Sequence, residues 1–131
     1  PQSLREAFQY RAGQFLTFEV PWNGMELRRC YSLSSAPETD PWPKVTVKRV
    51  DDGRVSNWFN DKLNVGDSIR VQPPEGRFVL RSDECDHGMM LFGGGSGITP
   101  VRSIMKGALR TTERRVKLVY ANRDERSIIF M

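Results

Sequence analysis

Three short stretches hold residue types that can do chemistry together. Gly93-Gly94-Gly95-Ser96-Gly97-Ile98-Thr99-Pro100 places four glycines in five residues just before an amphipathic run. Glycines let a backbone approach an anion closely, and a helix N-terminus offers it free N–H groups and partial positive charge. The ligand-free alternative is a tight strand-to-helix turn, and Pro100 stands where the usual dinucleotide fingerprint has a glycine for close helix packing. Asp52-Gly53-Arg54-Val55-Ser56-Asn57 repeats the logic with a glycine, a cation and a hydroxyl ahead of a short helix. Its alternative is a hairpin turn followed by an ordinary Ser N-cap. In Arg29-Cys30-Tyr31-Ser32-Leu33-Ser34-Ser35, a strand puts Arg29 and Tyr31 on one face and Cys30 and Ser32 on the other. Arg29 can clamp a phosphate while Tyr31 presents a rigid surface to a flat ring; the alternative is an exposed polar strand.

The elements that must position these residues change period once, near residue 88. Before it, alternating apolar residues mark strands at Gln14–Val20 (Leu16, Phe18 and Val20 on one face), Arg29–Ser34, Lys44–Val50, Asp67–Gln72 and Arg77–Leu80. Turn chemistry separates them at Pro21-Trp22-Asn23-Gly24, Pro41-Trp42-Pro43, Asp51-Asp52-Gly53 and Pro73-Pro74-Glu75-Gly76. A short helix over Ser56–Leu63, with Trp58, Phe59 and Leu63 inward, interrupts this small antiparallel barrel or sandwich. After Gly88 the pattern is β-loop-α-β. Met89–Phe92 reads as a strand buried on both faces. Val101, Ile104, Met105, Ala108 and Leu109 define a helix face, and Pro100 suits its first turn. Val116–Ala121 is the next strand, and Ser127 reads as the N-cap of a further helix.

Length and charge bound what this assembly can be. The 131 residues allow one domain, or one and part of another. Mean hydropathy is -0.52, and no stretch approaches the ~18 apolar residues of a membrane span. The first residues lack the apolar core of a secretory signal, and two cysteines, Cys30 and Cys85, favour a reducing, cytoplasmic setting. No metal site is expected, since two cysteines cannot hold an iron–sulfur cluster or a Cys-rich zinc site alone. The net charge of +4 is uneven: residues 1–100 hold 12 basic and 13 acidic side chains, and residues 101–131 hold 8 and 3. A nucleic-acid binder is therefore disfavoured, because residues 1–100 carry a net charge of -1 and offer no basic surface to a phosphate backbone.

Arg29-Cys30-Tyr31-Ser32, Gly53-Arg54-Val55-Ser56-Asn57, Gly95-Ser96-Gly97-Ile98-Thr99-Pro100 and Tyr120-Ala121-Asn122-Arg123, in this order and spacing, resemble the ferredoxin–NAD(P)H reductase-like flavoproteins. The resemblance runs over nearly the whole chain and is nearest to reductase components of bacterial oxygenases and hydroxylases, such as the ketosteroid hydroxylase reductase type. It implies an antiparallel six-stranded Greek-key flavin barrel over residues 1–87, followed by the start of a Rossmann-like nicotinamide domain over 88–131. It further implies that Arg29 binds the FAD pyrophosphate, Tyr31 stacks on the isoalloxazine and Ser32 hydrogen-bonds near flavin N5. Val47 and Lys48 would meet the flavin through their backbone, while Gly53, Arg54, Val55 and Ser56 would complete the phosphate site. Thr99 would lie at the domain junction near the nicotinamide. Gly94, Gly95, Ser96, Gly97, Asn122 and Arg123 would receive the dinucleotide. Tyr31, Ser32 and Thr99 are thus the residues expected at the reacting atoms.

The chemistry so implied is hydride transfer from NAD(P)H to FAD and single-electron delivery to an iron–sulfur protein or oxygenase component, with no nucleophile and no acid–base pair required. His87 then reads as a linker residue and Cys30 as packing. A nicotinamide domain usually has about five parallel strands, of which two are visible here; the resemblance thus implies a fragment, with any 2Fe-2S cluster in a missing domain. Arg123 and Arg126 suit a 2′-phosphate, Asp124 and Glu125 oppose it, and the resemblance to oxygenase reductases tilts the expectation to NADH. Alternatives are a flavohaemoglobin-like or flavin-reducing module, and a non-catalytic flavin-binding or regulatory subunit.

Overall fold

Asn23 and Gly24 both adopt positive φ (46° and 76°), the conformation a two-residue hairpin turn requires. They fold β1 (Phe15–Trp22) onto β2 (Met25–Ser32) in antiparallel register, pairing Trp22 with Met25 and Phe15 with Ser32. A computed structural model describes residues 2–81 and 87–131 of the chain; Cys85 and Asp86 lie outside the described residues. A first short helix, α1, covers Gln2–Ala7. Leu16, Phe18 and Val20 of β1 are buried, as their alternation requires, and form the core with Leu33 and Val55. The far edge of β1 pairs with β3 (Arg70–Val71), giving the order β2-β1-β3.

Helix α2 (Arg54–Asp61) caps this sheet, and Phe59 meets Phe18 and Tyr31 edge-on at 5.2 and 5.4 Å between ring centroids. It starts two residues before the expected Ser56, because Gly53 is the extended N-cap. Ser56 is therefore the third helical residue and not a cap.

The antiparallel architecture is as expected, but the strand count of six is not reproduced among the described residues. Residues 44–50 contribute one bridge, Leu33 with Val45. The Asn60 amide donates to Val47 O, and Arg49 forms a bidentate pair with Asp61, so α2 side chains occupy this segment. Residues 77–80 carry no ladder either; Arg11 donates to Leu80 O at 2.9 Å.

The second half is a βαβ unit. β4 (Met89–Gly94) and β5 (Val116–Ala121) pair in parallel, joined by α3 (Ile98–Thr111). Helix α3 buries Ile98, Val101, Ile104 and Ala108, while Met105 is half-buried and Leu109 exposed, so the buried stripe is narrower than the sequence pattern. Nor is β4 buried on both faces. Met90 and Phe92 are exposed because α3 covers the opposite side and no described element covers theirs. Gly13 lets α3 approach the barrel: its φ is +100°, and a Cβ there would sit 2.1 Å from Phe78 O and 2.9 Å from Ile104 Cδ1.

Ser127 does not open a helix. Asp124 caps a single turn over Glu125–Ser127, and Ser127 closes the capping box by hydrogen-bonding Asp124 N at 3.3 Å. The competing acidic cap three residues earlier takes the role. No helix among the described residues is long and apolar enough to cross a membrane.

Candidate functional site

The end of β2 and the N-termini of α2 and α3 converge on one cleft of about 660 Å³. Of the residues singled out from the sequence, Arg29, Tyr31, Ser32, Lys48, Gly53, Arg54, Val55, Ser56, Ser96, Gly97 and Thr99 line it. The three stretches that carried separate chemical signals are therefore walls of one site.

Its innermost wall is the start of α2. Gly53 supplies no side-chain cap, and the first intrahelical bond comes from Asn57 N to Gly53 O, so the amides of Arg54, Val55 and Ser56 remain available to an anion. Ser56 Oγ is buried without a hydrogen-bond partner, a cost of about 1–3 kcal/mol for an unsatisfied polar group. A Cβ on Gly53 would fall 2.2 Å from that oxygen and 2.9 Å from Val50 O. An orphaned hydroxyl, free amides and a side-chain-free approach form a cradle for phosphate, and the exposed Arg54 adds charge. Asp52, with φ of 57°, lies on the same wall and opposes anions at the rim.

Tyr31 stands on the opposite wall, half-buried. Phe18 and Phe59 meet its ring edge-on, so the aromatic cluster fixes the ring while the residue borders the cleft. Burial pushes its phenol above the ordinary value and Arg29 opposes that shift, leaving the hydroxyl neutral at physiological pH. The Arg29 guanidinium is exposed and donates to Arg28 O at 2.7 Å, a contact that it can exchange for an anion. This wall and the α2 cradle fit the ring and pyrophosphate of a flavin dinucleotide.

The α3 wall differs. Its glycine turn is uncapped by side chains, and a Cβ on Gly94, Gly95 or Gly97 would meet nothing within 4 Å, whereas on Gly93 it would strike Ile98. Gly93 is thus required by packing, and the other three leave open space at a helix N-terminus. Thr99 is buried and its hydroxyl donates to Ser96 O at 3.0 Å. Tyr120 donates its hydroxyl to Gly95 O at 3.3 Å, tying β5 to the turn.

Other expected residues fall elsewhere. Val47 faces an apolar opening with Leu16, Phe18 and Phe59 rather than the cleft. Gly94, Gly95, Asn122 and Arg123 are not part of its lining. Asn122 Oδ1 is nevertheless buried without a partner at the end of β5, and Arg123 is exposed. Lys48 reaches the cleft, but its ammonium donates to Ser127 O at 2.8 Å, a link across 79 residues that sequence reasoning missed. Cys30, Thr46, Val50 and Pro100 were also missed as lining; Cys30 and Pro100 lie inside motifs already noted, while Thr46 and Val50 carried no local signal.

Residues 2–80 match the family model described as oxidoreductase FAD-binding domain, and residues 91–131 match that of an oxidoreductase NAD-binding domain. The chain is 53% identical over 131 residues to the ferredoxin reductase component of 3-ketosteroid-9-alpha-monooxygenase from Rhodococcus rhodochrous, covering 99% of this chain and 37% of that protein. Among solved structures, the cytochrome P450 reductase of Amycolatopsis superposes with a TM-score of 0.80 at 31% identity, over 91% of this chain and 36% of that one. Phthalate dioxygenase reductase, described as a modular structure for electron transfer from pyridine nucleotides to [2Fe-2S], does so with a TM-score of 0.74 at 34% identity, over 88% and 35%. The chain therefore spans little more than a third of the relatives it matches.

Proposed function

The chain belongs to the family of oxidoreductase FAD-binding domains, and on that premise we propose that it forms the flavin site and first nicotinamide-binding elements of an NAD(P)H-dependent reductase. Electrons would pass to an iron–sulfur protein or oxygenase component. The proposed division is a flavin barrel over 1–87 and the opening of a nicotinamide domain over 88–131. The observation that carries this reading is the orphaned Ser56 Oγ beside the uncapped start of α2, within the same cleft as Tyr31.

Bound FAD would supply acceptance of a hydride and release of single electrons. The protein's part is placement. Arg29 neutralises pyrophosphate charge from one side, while the amides of Arg54–Ser56 and the Ser56 hydroxyl bind it from the other. Tyr31, its ring fixed by Phe18 and Phe59, lies against the flat ring system and keeps water from that face. Ser32, one residue on, lines the same cleft and would offer its hydroxyl to the flavin. Lys48 holds the Glu125–Ser127 turn against the cleft wall, and Thr99 borders the place where the nicotinamide would enter. The open glycine turn and Asn122 serve the dinucleotide. NADH is the proposed form on the similarity to reductase components of oxygenases, since Asp124 and Glu125 offset the exposed Arg123 and Arg126.

Anaerobic reconstitution tests the reading. The chain incubated with FAD and desalted should be yellow, and NADH should bleach its absorbance at a rate no faster than in a longer relative. Folded protein that emerges colourless would overturn the proposal.

A further inference from the structure

The barrel and α3 are joined by a polar seam that the proposed chemistry does not use. Ser103 Oγ, fully buried, donates to Ser35 O at 2.5 Å and accepts from Gly13 N at 3.1 Å. Lys106 pairs with Asp40. One turn nearer the glycine loop, Arg102 Nη1 donates to Ser34 O at 2.9 Å, and its guanidinium carbon lies 4.5 Å from the centroid of Phe130.

Arg102 stands where two routes cross. Along α3 it follows Thr99 by three residues, so the two share a helix face. Across the seam it grips the backbone two residues beyond Ser32. Through Phe130 it meets a segment whose Ile129 N–H donates to the Tyr120 hydroxyl at 3.2 Å, and that hydroxyl donates to Gly95 O. A guanidinium suits this crossing: it makes a charge-assisted bond in its plane and an aromatic contact on its face. An ammonium can reproduce only the bond well.

We infer that Arg102 is a positioning residue, holding the glycine turn and the start of α3 in register with Tyr31 and Ser32, so that filling the barrel cleft orders the turn at residues 94–99. The inference rests on the proposed identity of the cleft as a flavin site. Ligand binding that stiffens one wall is felt at another only where a physical connection exists, and amide exchange reads that stiffening directly.

The experiment is hydrogen exchange by mass spectrometry on the 131-residue chain with and without FAD, for the parent, Arg102→Ala, Arg102→Lys and Phe130→Ala. In the parent, FAD should slow exchange by about fivefold or more at 29–32, 54–57 and 94–99. Arg102→Ala should keep the first two effects, with FAD affinity within about threefold, and lose the third. Arg102→Lys should regain part of it, and Phe130→Ala should weaken it. Retained slowing at 94–99 in Arg102→Ala, absence of that slowing in the parent, or no recovery in Arg102→Lys would overturn the inference. Loss of all three effects in Arg102→Ala would also overturn it, in favour of a general packing role. If Arg102→Ala does not fold, an unchanged response in Phe130→Ala overturns it. No slowing at 29–32 in the parent would overturn the flavin reading itself, and the inference with it.

Discussion

The cleft has two helix N-termini, and their glycines do opposite work. At α2, Gly53 is confined: a methyl group there would strike Ser56 Oγ and Val50 O. At α3, Gly94, Gly95 and Gly97 face nothing within 4 Å. The α2 end is thus a finished cradle with two unpartnered buried oxygens, Ser56 Oγ and Asn57 Oδ1, of which a phosphate would partner the hydroxyl. The α3 end is open space that side-chain packing does not demand, although the backbone itself, with φ of +49°, holds Gly95 to glycine. A glycine that its neighbours require reports the fold, whereas a glycine in open space reports room for something else. The charge does not follow this division: the basic surplus belongs to residues 101–131, but the cations that line the cleft, Arg29, Lys48 and Arg54, all come from the first part of the chain.

The largest effects should come from the wall facing the α2 cradle. Arg29→Ala or Tyr31→Ala should weaken FAD binding by roughly 10–100-fold, the value of a charge-assisted hydrogen bond or a stacked ring. Fluorescence titration measures it; binding unchanged in both variants would place the flavin elsewhere.

The glycines test the contrast itself. Gly53→Ala should destabilise the ligand-free chain by about 1–3 kcal/mol, as overpacking does, and weaken FAD binding as well. Gly97→Ala should leave stability within about 0.5 kcal/mol while weakening ADP-ribose binding by roughly tenfold. Equal stability losses in the two variants, measured by urea unfolding, would erase the distinction.

Ser56→Ala should act with opposite signs on the two states. Deleting an unsatisfied buried oxygen raises ligand-free stability by about 1 kcal/mol, and deleting a phosphate ligand lowers FAD affinity by a similar amount. Thermal unfolding with and without FAD separates these effects.

The prediction with least bearing on that contrast concerns the polar seam between the barrel and α3. The Lys106 ammonium, with the Ala36 amide, holds the Asp40 carboxyl well below the usual carboxylate range. A depressed folded-state pKa contributes stability that is fully present above the unfolded value of about 3.9 and is lost as pH falls through the folded one. Asp40→Asn should therefore flatten the decline of stability below about pH 4, which urea unfolding across a pH series measures.

What the sequence made legible was local. Alternation at Leu16, Phe18 and Val20, the strand–glycine–helix context at 89–109, and the Arg29–Ser32 stretch each lie within one element or within elements consecutive in the chain, and their short-range patterns survive folding. Helix α2 lies two residues earlier at both ends than the expected Ser56–Leu63, and Leu63 falls beyond it, because Ser56 competes as a cap with Gly53 and backbone conformation decides the contest. The cap at Asp124 was overlooked although its Asp-x-x-Ser spacing was present. Contacts across 68–90 residues, such as Ser103 with Ser35 and Gly13, leave no periodic trace. The convergence of three motifs on one cleft is of that kind too. Each motif was readable, but their common walls emerge only when β2, α2 and α3 pack.

The most direct test of the account is calorimetric titration of the folded 131-residue chain with FAD, alongside FMN and ADP-ribose. The account predicts one FAD per chain, bound more tightly than either part-molecule, because Tyr31 and the α2 cradle act on the same ligand. A chain of native circular dichroism that binds no FAD would contradict it.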